Sequence, residues 1–245
     1  LEAGHLMDSG SDLGRARRAL LRAERLAFPG APIGLRRSIL FSLANANLHL
    51  GHLDEAVAAL ERHRALREED GSTVDAAAVA YNLLNARVTA QEARPSASGR
   101  ARLVALAEQV VAETQALGRP YTEAQAHRLL GDLLRPTDPA RAMTHLRRCL
   151  ELEAPLGYPG VRAACLWSLS LHEATRDPAR AEQLSREAVS LVSGPEGGPM
   201  LAYAWQARMR LVWQVQPQDR ASAESMEALR AIERLRAAQR DQDSR

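Results

Sequence analysis

The sequence opens one unit with Leu117-Gly118-Arg119-Pro120 and a second, 39 positions later, with Leu156-Gly157-Tyr158-Pro159. At the same offset, Asp138-Pro139-Ala140-Arg141-Ala142 recurs as Asp177-Pro178-Ala179-Arg180-Ala181. Between these markers both copies carry apolar residues at helical spacing. A fixed period of this length indicates stacked helical hairpins, because a single hairpin cannot bury its apolar face alone.

The composition favours an all-α fold. Hydrophobic residues make up 46% of the 245 residues, but aromatic residues only 4%. Ala, Leu and Arg dominate and are good helix formers, whereas Val, Ile, Tyr and Phe are too sparse for a sheet. We expect about six hairpins in one repeat domain over residues 1–245, the first of them truncated. The last helix, predicted over 219–239, either caps the stack or leads into a further domain, and the start without Met suggests a piece of a longer protein.

Charge excludes several functions. The 32 basic residues are all Arg and are interspersed with 30 acidic ones, for a net charge of +2. Without Lys there is no P-loop lysine and no Schiff base. Nucleic-acid binders usually carry a basic excess on one face, so we expect no nucleic-acid partner and an ion-paired exterior.

The two cysteines, Cys149 and Cys165, are too few for a disulfide framework. We expect them to be near neighbours in the stack, and two small core residues rather than a bridge, in a reducing compartment. No run of about eighteen apolar residues occurs, and the first residues do not resemble a signal peptide. We therefore predict a cytoplasmic protein without a membrane partner.

An Asp four residues before an Ala marks the start of the second helix in four units. Asp at an N-cap accepts hydrogen bonds from unpaired helix N–H groups, and Pro at the first helical position gives up nothing, since its N–H would be unpaired anyway. The pairs are Asp12 and Ala16, Asp138 and Ala142, Asp177 and Ala181, and Asp219 and Ala223.

These units resemble tetratricopeptide (TPR) repeats. The matching residues are Leu43-Ala44, Asn47, Leu50-Gly51, Asp54-Glu55-Ala56-Val57 and Leu60, and in the fourth unit Leu130-Gly131-Asp132-Leu133, Ala142, Leu146 and Cys149. The resemblance implies an α-solenoid of helix-turn-helix repeats wound into a right-handed superhelix, which binds partners along its concave face. The period departs from the family, because TPR repeats are about 34 residues long.

A second resemblance concerns residues 225–236, which look like the segment that leaves the repeat array in bacterial TPR proteins with a C-terminal CHAT domain. CHAT domains are caspase-like peptidases with a His/Cys dyad. No stretch of residues 1–245 matches that catalytic part. The resemblance would make this chain a sensor or scaffold arm and not the protease.

Groove residues follow from the repeat register. Asn45 and Asn85 take equivalent groove-facing positions on first helices, where an amide can donate to and accept from a peptide backbone. The remaining groove candidates are Arg87, which could receive a carboxylate, Arg128, Asp132 and Trp167. The alternative is that the two Asn residues bond between helices and that Trp167 belongs to the core.

Other candidates favour structural roles. Trp205 and Trp213 are expected in the core, with an exposed docking patch as the alternative. His49, His52 and His63 have spacings that could seed a metal site, but no further ligands complete one. A dyad of His145 with Cys149 lacks a group to orient the histidine. We therefore predict no metal, no cofactor and no catalytic residue.

Together these observations predict a protein–protein interaction scaffold or sensor that binds a protein or peptide segment in its concave groove. The alternative is the regulatory arm of a larger caspase-like protease or of a transcriptional regulator, with an attached C-terminal effector domain. In either case this chain itself is not expected to be an enzyme.

Overall fold

The computed structural model describes residues 13–28, 30–73, 75–93, 95–193 and 198–243. All regular structure within these ranges is α-helical, which confirms the all-α prediction. The chain divides into two compact units, residues 1–117 and 118–245. Each unit is a stack of consecutive helices in which every helix packs against the next, as expected of a helical-repeat solenoid.

Unit 1 contains five helices in the described residues. They are α1 (Leu13–Ala27), α2 (Ile33–Leu50), α3 (Leu53–Asp70), α4 (Ala76–Ala93) and α5 (Ala97–Ala116). Its core lies between α2, α3 and α4, where Leu40, Leu60 and Val79 are almost completely buried. Helices α2 and α3 pack against each other as one helical hairpin over residues 33–70.

Unit 2 contains six helices in the described residues. They are α6 (Pro120–Leu134), α7 (Pro139–Glu153), α8 (Pro159–Glu173), α9 (Pro178–Leu191), α10 (Gly198–Val215) and α11 (Gln218–Asp243). The pairs α6–α7 and α8–α9 are the duplicated copies in the sequence. First helices also contact each other, α6 with α8 and α8 with α10, as stacked hairpins require.

The duplicated markers act as helix signals. Asp138 Oδ1 accepts a hydrogen bond from the Arg141 backbone N–H at 3.1 Å, and Asp177 Oδ1 accepts one from Arg180 at 2.9 Å. In both helices Pro follows at the first helical position. The two glycines that open the copies, at positions 118 and 157, have φ values of 59° and 67°, which an L side chain rarely adopts.

Asp219 was predicted to be an N-cap by the same pattern, but it is not one in the structure. The other copy of the pattern, at Asp12, lies outside the described residues. Helix α11 begins at Gln218, so Asp219 lies inside the first turn and is not its N-cap. The backbone carbonyl of Pro217 instead accepts from Ala221, at 3.0 Å. Ala221, not the expected Ala223, is the completely buried small residue.

Close helix contact within the α6–α7 hairpin depends on Gly131. A Cβ atom at this position would lie 2.7 Å from two side-chain atoms of Leu146 and 3.2 Å from the Ala142 carbonyl oxygen. Both Leu146 and Ala142 are completely buried. The small residues of the repeat pattern therefore set the distance between the two helices of a hairpin.

Cys149 on α7 and Cys165 on α8 form a disulfide, with Cα atoms 6.2 Å apart. This separation lies within the usual range for disulfides, and both side chains are completely buried. The expected proximity is confirmed, but the expectation of two unbridged core cysteines is wrong. The inference of a reducing compartment rested on unpaired thiols and loses that support.

None of the helices in the described part of the chain combines the length and the apolar character that a membrane crossing requires.

Candidate functional site

Two strips of side chains run across first helices, one strip in each unit. We call Asn45, Tyr81, Asn82 and Asn85 on α2 and α4 the unit 1 strip, and Arg128, Asp132, Trp167 and Ser168 on α6 and α8 the unit 2 strip. Apart from Ser168, which is buried, all of these residues are partly exposed. Each strip combines polar groups with one aromatic ring.

In the unit 1 strip, an amide pair joins the two first helices. Asn82 Nδ2 donates a hydrogen bond to Asn45 Oδ1 at 3.0 Å. Asn45 therefore bonds between helices, as the alternative interpretation of the sequence held. One bond uses one group of each amide, so the pair retains a donor on Asn45 and an acceptor on Asn82. Asn85 lies one turn further along α4 and is partly exposed.

In the unit 2 strip, Asp132 connects two partners. Its Oδ2 atom accepts from Arg128 Nη1 at 3.2 Å and from Ser168 Oγ on α8 at 3.0 Å. Burial raises the pKa of Asp132, while Arg128, Arg135 and the Ser168 hydrogen bond oppose that rise. These contacts hold the carboxylate where it joins the two first helices.

The Asn45–Asn82 and Asp132–Ser168 bonds are equivalent in the repeat. The first helices α2, α4, α6 and α8 each have a buried leucine in register, namely Leu43, Leu83, Leu130 and Leu169. Asn45 and Asp132 each lie two positions after one of these leucines. Each bonds to the residue directly before the next leucine, which is Asn82 in unit 1 and Ser168 in unit 2. Asn45 and Asp132 were predicted from the repeat register, whereas Asn82 and Ser168 were not. The signal for Asn82 and Ser168 is their position directly before a buried leucine of the register.

Trp167 lies between the two interpretations that the sequence left open. Its ring packs against a core cluster that includes Leu146, Leu166 and Leu184, and its buried indole N–H makes no hydrogen bond. The side chain nevertheless stays partly exposed on the unit 2 strip. Trp167 can therefore both anchor α8 and offer an aromatic edge to a ligand.

Arg87 does not join the unit 1 strip. Its Nη2 atom lies 2.7 Å from Glu61 Oε1 on α3, in an exposed ion pair. Arg87 lies two positions after Asn85, so its side chain leaves α4 in a direction rotated by about 200° from that of Asn85. The guanidinium therefore faces the neighbouring α3 and not the amides of Asn45 and Asn82.

The histidine and cysteine candidates are not brought together. His49 and His52 are exposed at the end of α2, whereas His63 is completely buried on α3. Burial is the main cause that lowers the pKa of His63, with Arg37 contributing. No group of three or more potential metal-ligating His, Cys, Asp or Glu residues occurs within the described ranges. Cys149 is bridged to Cys165, so the Cys149–His145 dyad does not form.

The two tryptophans of α10 differ from each other. Trp205 is partly buried and packs against the unit 2 core, as expected. Trp213 is 52% exposed and donates its indole N–H to Ser225 Oγ on α11 at 3.1 Å. The expectation that both belong to the core is therefore correct for Trp205 and wrong for Trp213.

Comparison with known proteins places the fold among helical-repeat structures. No protein-family model matches the sequence, and no curated protein matches it. The chain is similar in structure to BtubC (BKLC) from P. vanneervenii, with a TM-score of 0.56 and 14% identity over 97% of this chain and 93% of that chain.

A second similar structure is a Signal Transduction ATPase with Numerous Domains (STAND) protein with a tetratricopeptide repeat sensor, from Pyrococcus horikoshii. The TM-score is 0.59 at 13% identity, over 94% of this chain and 34% of that chain. At such low identity these likenesses show the fold alone. They support the helical-repeat resemblance that the sequence indicated.

Proposed function

We propose that this chain is a protein interaction module that binds an extended segment of a protein partner along its first helices. The observation that carries the proposal is the pair of equivalent strips, in which polar and aromatic side chains remain partly exposed on adjacent first helices. Similarity to a structure with a tetratricopeptide repeat sensor supports an interaction role.

The unit 1 strip suits a peptide backbone. The Asn45–Asn82 pair keeps the NH2 group of Asn45 and the carbonyl oxygen of Asn82, and Asn85 adds a third amide one turn from Tyr81. Amides that donate and accept at once match the alternating N–H and C=O groups of an extended chain. Since none of these side chains is charged, recognition here would not select a charged sequence.

The unit 2 strip suits an apolar or aromatic anchor. Arg128 Nη1 and Asp132 Oδ2 form an ion pair at 3.2 Å, so their charges neutralise each other. Ser168 donates a hydrogen bond to the same carboxylate oxygen. Trp167 then provides the largest apolar surface of the strip. Aromatic anchors of this kind often carry much of the binding energy at protein interfaces.

A sensor arm of a larger protein is the second candidate. The chain spans about a third of the STAND protein to which its fold is similar, since it covers 34% of that chain. Such an arm would bind its partner through the same strips and pass the event to an attached domain. The caspase-like and transcriptional alternatives inferred from the sequence are particular forms of this second candidate.

Selection from a displayed library of random peptides tests the interaction. We expect enriched peptides that bind the purified chain with a shallow salt dependence, because few charges of the strips are available. Asn85→Ala and Trp167→Phe should weaken the binding of such a peptide about tenfold or more, as loss of a central contact does. Circular dichroism would show that both variants remain folded.

Gln109→Ala on α5 provides the matched control, since Gln109 is exposed on a second helix outside both strips. This variant should bind the selected peptide as the wild type does. If the strip variants keep full affinity, or if only variants on second helices lose it, the proposed binding surface is wrong.

A further inference from the structure

Two histidines face each other between α6 and α7 in unit 2. The Nδ1 atoms of His127 and His145 are 2.9 Å apart, the ring centroids are 5.1 Å apart, and the ring planes are inclined by 29°. His127 is buried, and His145 is partly exposed. At this distance one nitrogen donates a proton and the other accepts it, because two bare lone pairs or two N–H groups would repel each other.

Charged side chains of both α6 and α7 lie near His127. Glu123 Oε1 lies 3.9 Å from His127 Nε2, the ring nitrogen that does not face His145 Nδ1. Arg148 Nη2 lies 3.8 Å from the same Glu123 oxygen, and Arg148 Nη1 bonds to Glu151 Oε2 at 3.2 Å. His127 therefore has an acceptor on its outer nitrogen and a cation nearby.

Helix α8 also packs against α6 and α7, and its Arg162 pairs with two carboxylates. Its Arg162 lies 3.6 Å from Glu153 and 3.5 Å from Glu187. On α6, Asp132 is held by Arg128 and Ser168. Arg148 and Glu151 on α7 act on the protonation of His127, and Glu123 on α6 lies beside its Nε2.

The geometry treats a first and a second added proton differently. Glu123 Oε1 lies near His127 Nε2, and the carboxylate favours a proton on that nitrogen, so His127 Nδ1 accepts the Nδ1–H of His145. A first added proton can then bind Nε2 of the partly exposed His145 without disturbing the Nδ1 bond. A second proton must occupy the accepting Nδ1 of His127. Two N–H groups then face each other on two positively charged rings.

We propose that His127 and His145 form a two-step proton sensor: the pair takes up one proton with its N–H···N bond intact, and a second proton breaks that bond and loosens the α6–α7 hairpin. The pair thus makes unit 2 sensitive to acid through one contact between its first two helices.

Electrostatics agree with this geometry. Burial, followed by the charges of His145 and Arg148, lowers the pKa of His127 to about 4, and Glu151 opposes this effect. An unfolded histidine titrates near 6.5. As the pH falls from about 6.5 to about 4, His127 binds a proton in the unfolded chain but not in the folded chain, so the free energy of unfolding decreases over this window. At about pH 5 the folding equilibrium constant should be about 30-fold lower for this reason.

Nitrogen NMR of the imidazole rings tests the pair directly in the wild-type protein. Near neutral pH we expect one ring protonated at Nδ1 and the other bare at Nδ1, followed on acidification by two separated titration steps. A single step shared by both rings near their ordinary pKa, or two rings with the same Nδ1 state at neutral pH, would overturn the proposal.

His145→Gln tests the consequence, because glutamine keeps a polar partner for His127 but carries no charge. The folding equilibrium constant of the variant should fall by a smaller factor than that of the wild type when the pH is lowered to about 5, because the charge of His145 is removed while the burial of His127 remains. His49→Gln, at an exposed histidine on α2, is the control and should behave as the wild type does. If the two variants show the same acid sensitivity, or if His145→Gln does not fold and the ring nitrogens titrate in one step, the sensor is excluded.

Discussion

A single methyl group at Gly131 should decide whether the α6–α7 hairpin packs as closely as the structure shows. In Gly131→Ala the new Cβ would lie 2.7 Å from Leu146, which is completely buried and has little space to move into. Overpacking of this kind costs about 1–3 kcal/mol. The higher helix propensity of Ala offsets about 1 kcal/mol of this loss in stability. We therefore expect a net loss of about 1 kcal/mol in the free energy of unfolding.

Gly34→Ala is the matched control, because a Cβ there would meet no atom within 4 Å. Gly34 is exposed in the first turn of α2, so the substitution should stabilise by about 0.5 kcal/mol through the unfolded state. Urea unfolding followed by circular dichroism measures both variants. A gain in Gly131→Ala equal to that in Gly34→Ala would refute the close contact.

A double mutant isolates the contact from other effects of the substitution. Leu146→Ala alone should cost about 2–5 kcal/mol, since it empties a completely buried site. In that background the clash with Leu146 is gone, and Gly131→Ala should stabilise by about 0.5–1 kcal/mol. The change in sign between the two backgrounds is the decisive result, and two separate losses that simply add would contradict the reasoning.

Three further predictions concern the cap, the disulfide and a buried histidine. Asp177→Ala should cost about 1 kcal/mol by removing the N-cap of α9, whereas Asp177→Asn should cost little, as urea midpoints would show. Reduction of Cys149–Cys165 should cost about 3 kcal/mol for a separation of 16 residues, and thiol titration in denaturant should find no free thiol before reduction. The pKa of His63 is lowered on folding, mainly by burial, so this residue removes stability as the pH falls below about 6.5. His63→Phe should therefore lose less stability than the wild type between about pH 7 and about pH 5, measured by thermal unfolding.

Local chemistry explains why the helices could be predicted from the sequence. Asp138-Pro139 and Asp177-Pro178 combine an N-cap acceptor with a residue that needs no N–H partner, and the structure starts α7 and α9 there. Such signals act within a few residues, so no knowledge of the fold is needed to find them. Asp219 fails because the Pro217 carbonyl starts α11 two residues earlier than the mark implies.

Contacts between helices could be predicted from the sequence only in part. The register correctly placed Asn45 and Asp132 on first helices, but their partners depend on the rotation and spacing of the next helix, which a single helix does not encode. Trp205 and Trp213 show the same limit. Eight residues turn a helix by about 80° beyond two full turns, so one ring can enter the core while the other lies at its edge.

The bonds between first helices bear on what the strips can recognise. Asp132 directs one oxygen to both Arg128 and Ser168, so the only charges of the unit 2 strip offset each other within the protein. The unit 1 strip carries amides and a phenol without a charge. A partner that relied on charged side chains would find few unmatched charges on either strip. On the proposed function, the amides of the unit 1 strip would hold the backbone of a bound segment. Selectivity at the unit 2 strip would come from the apolar residue placed against Trp167, because that ring is the largest partly exposed apolar side chain of the strip.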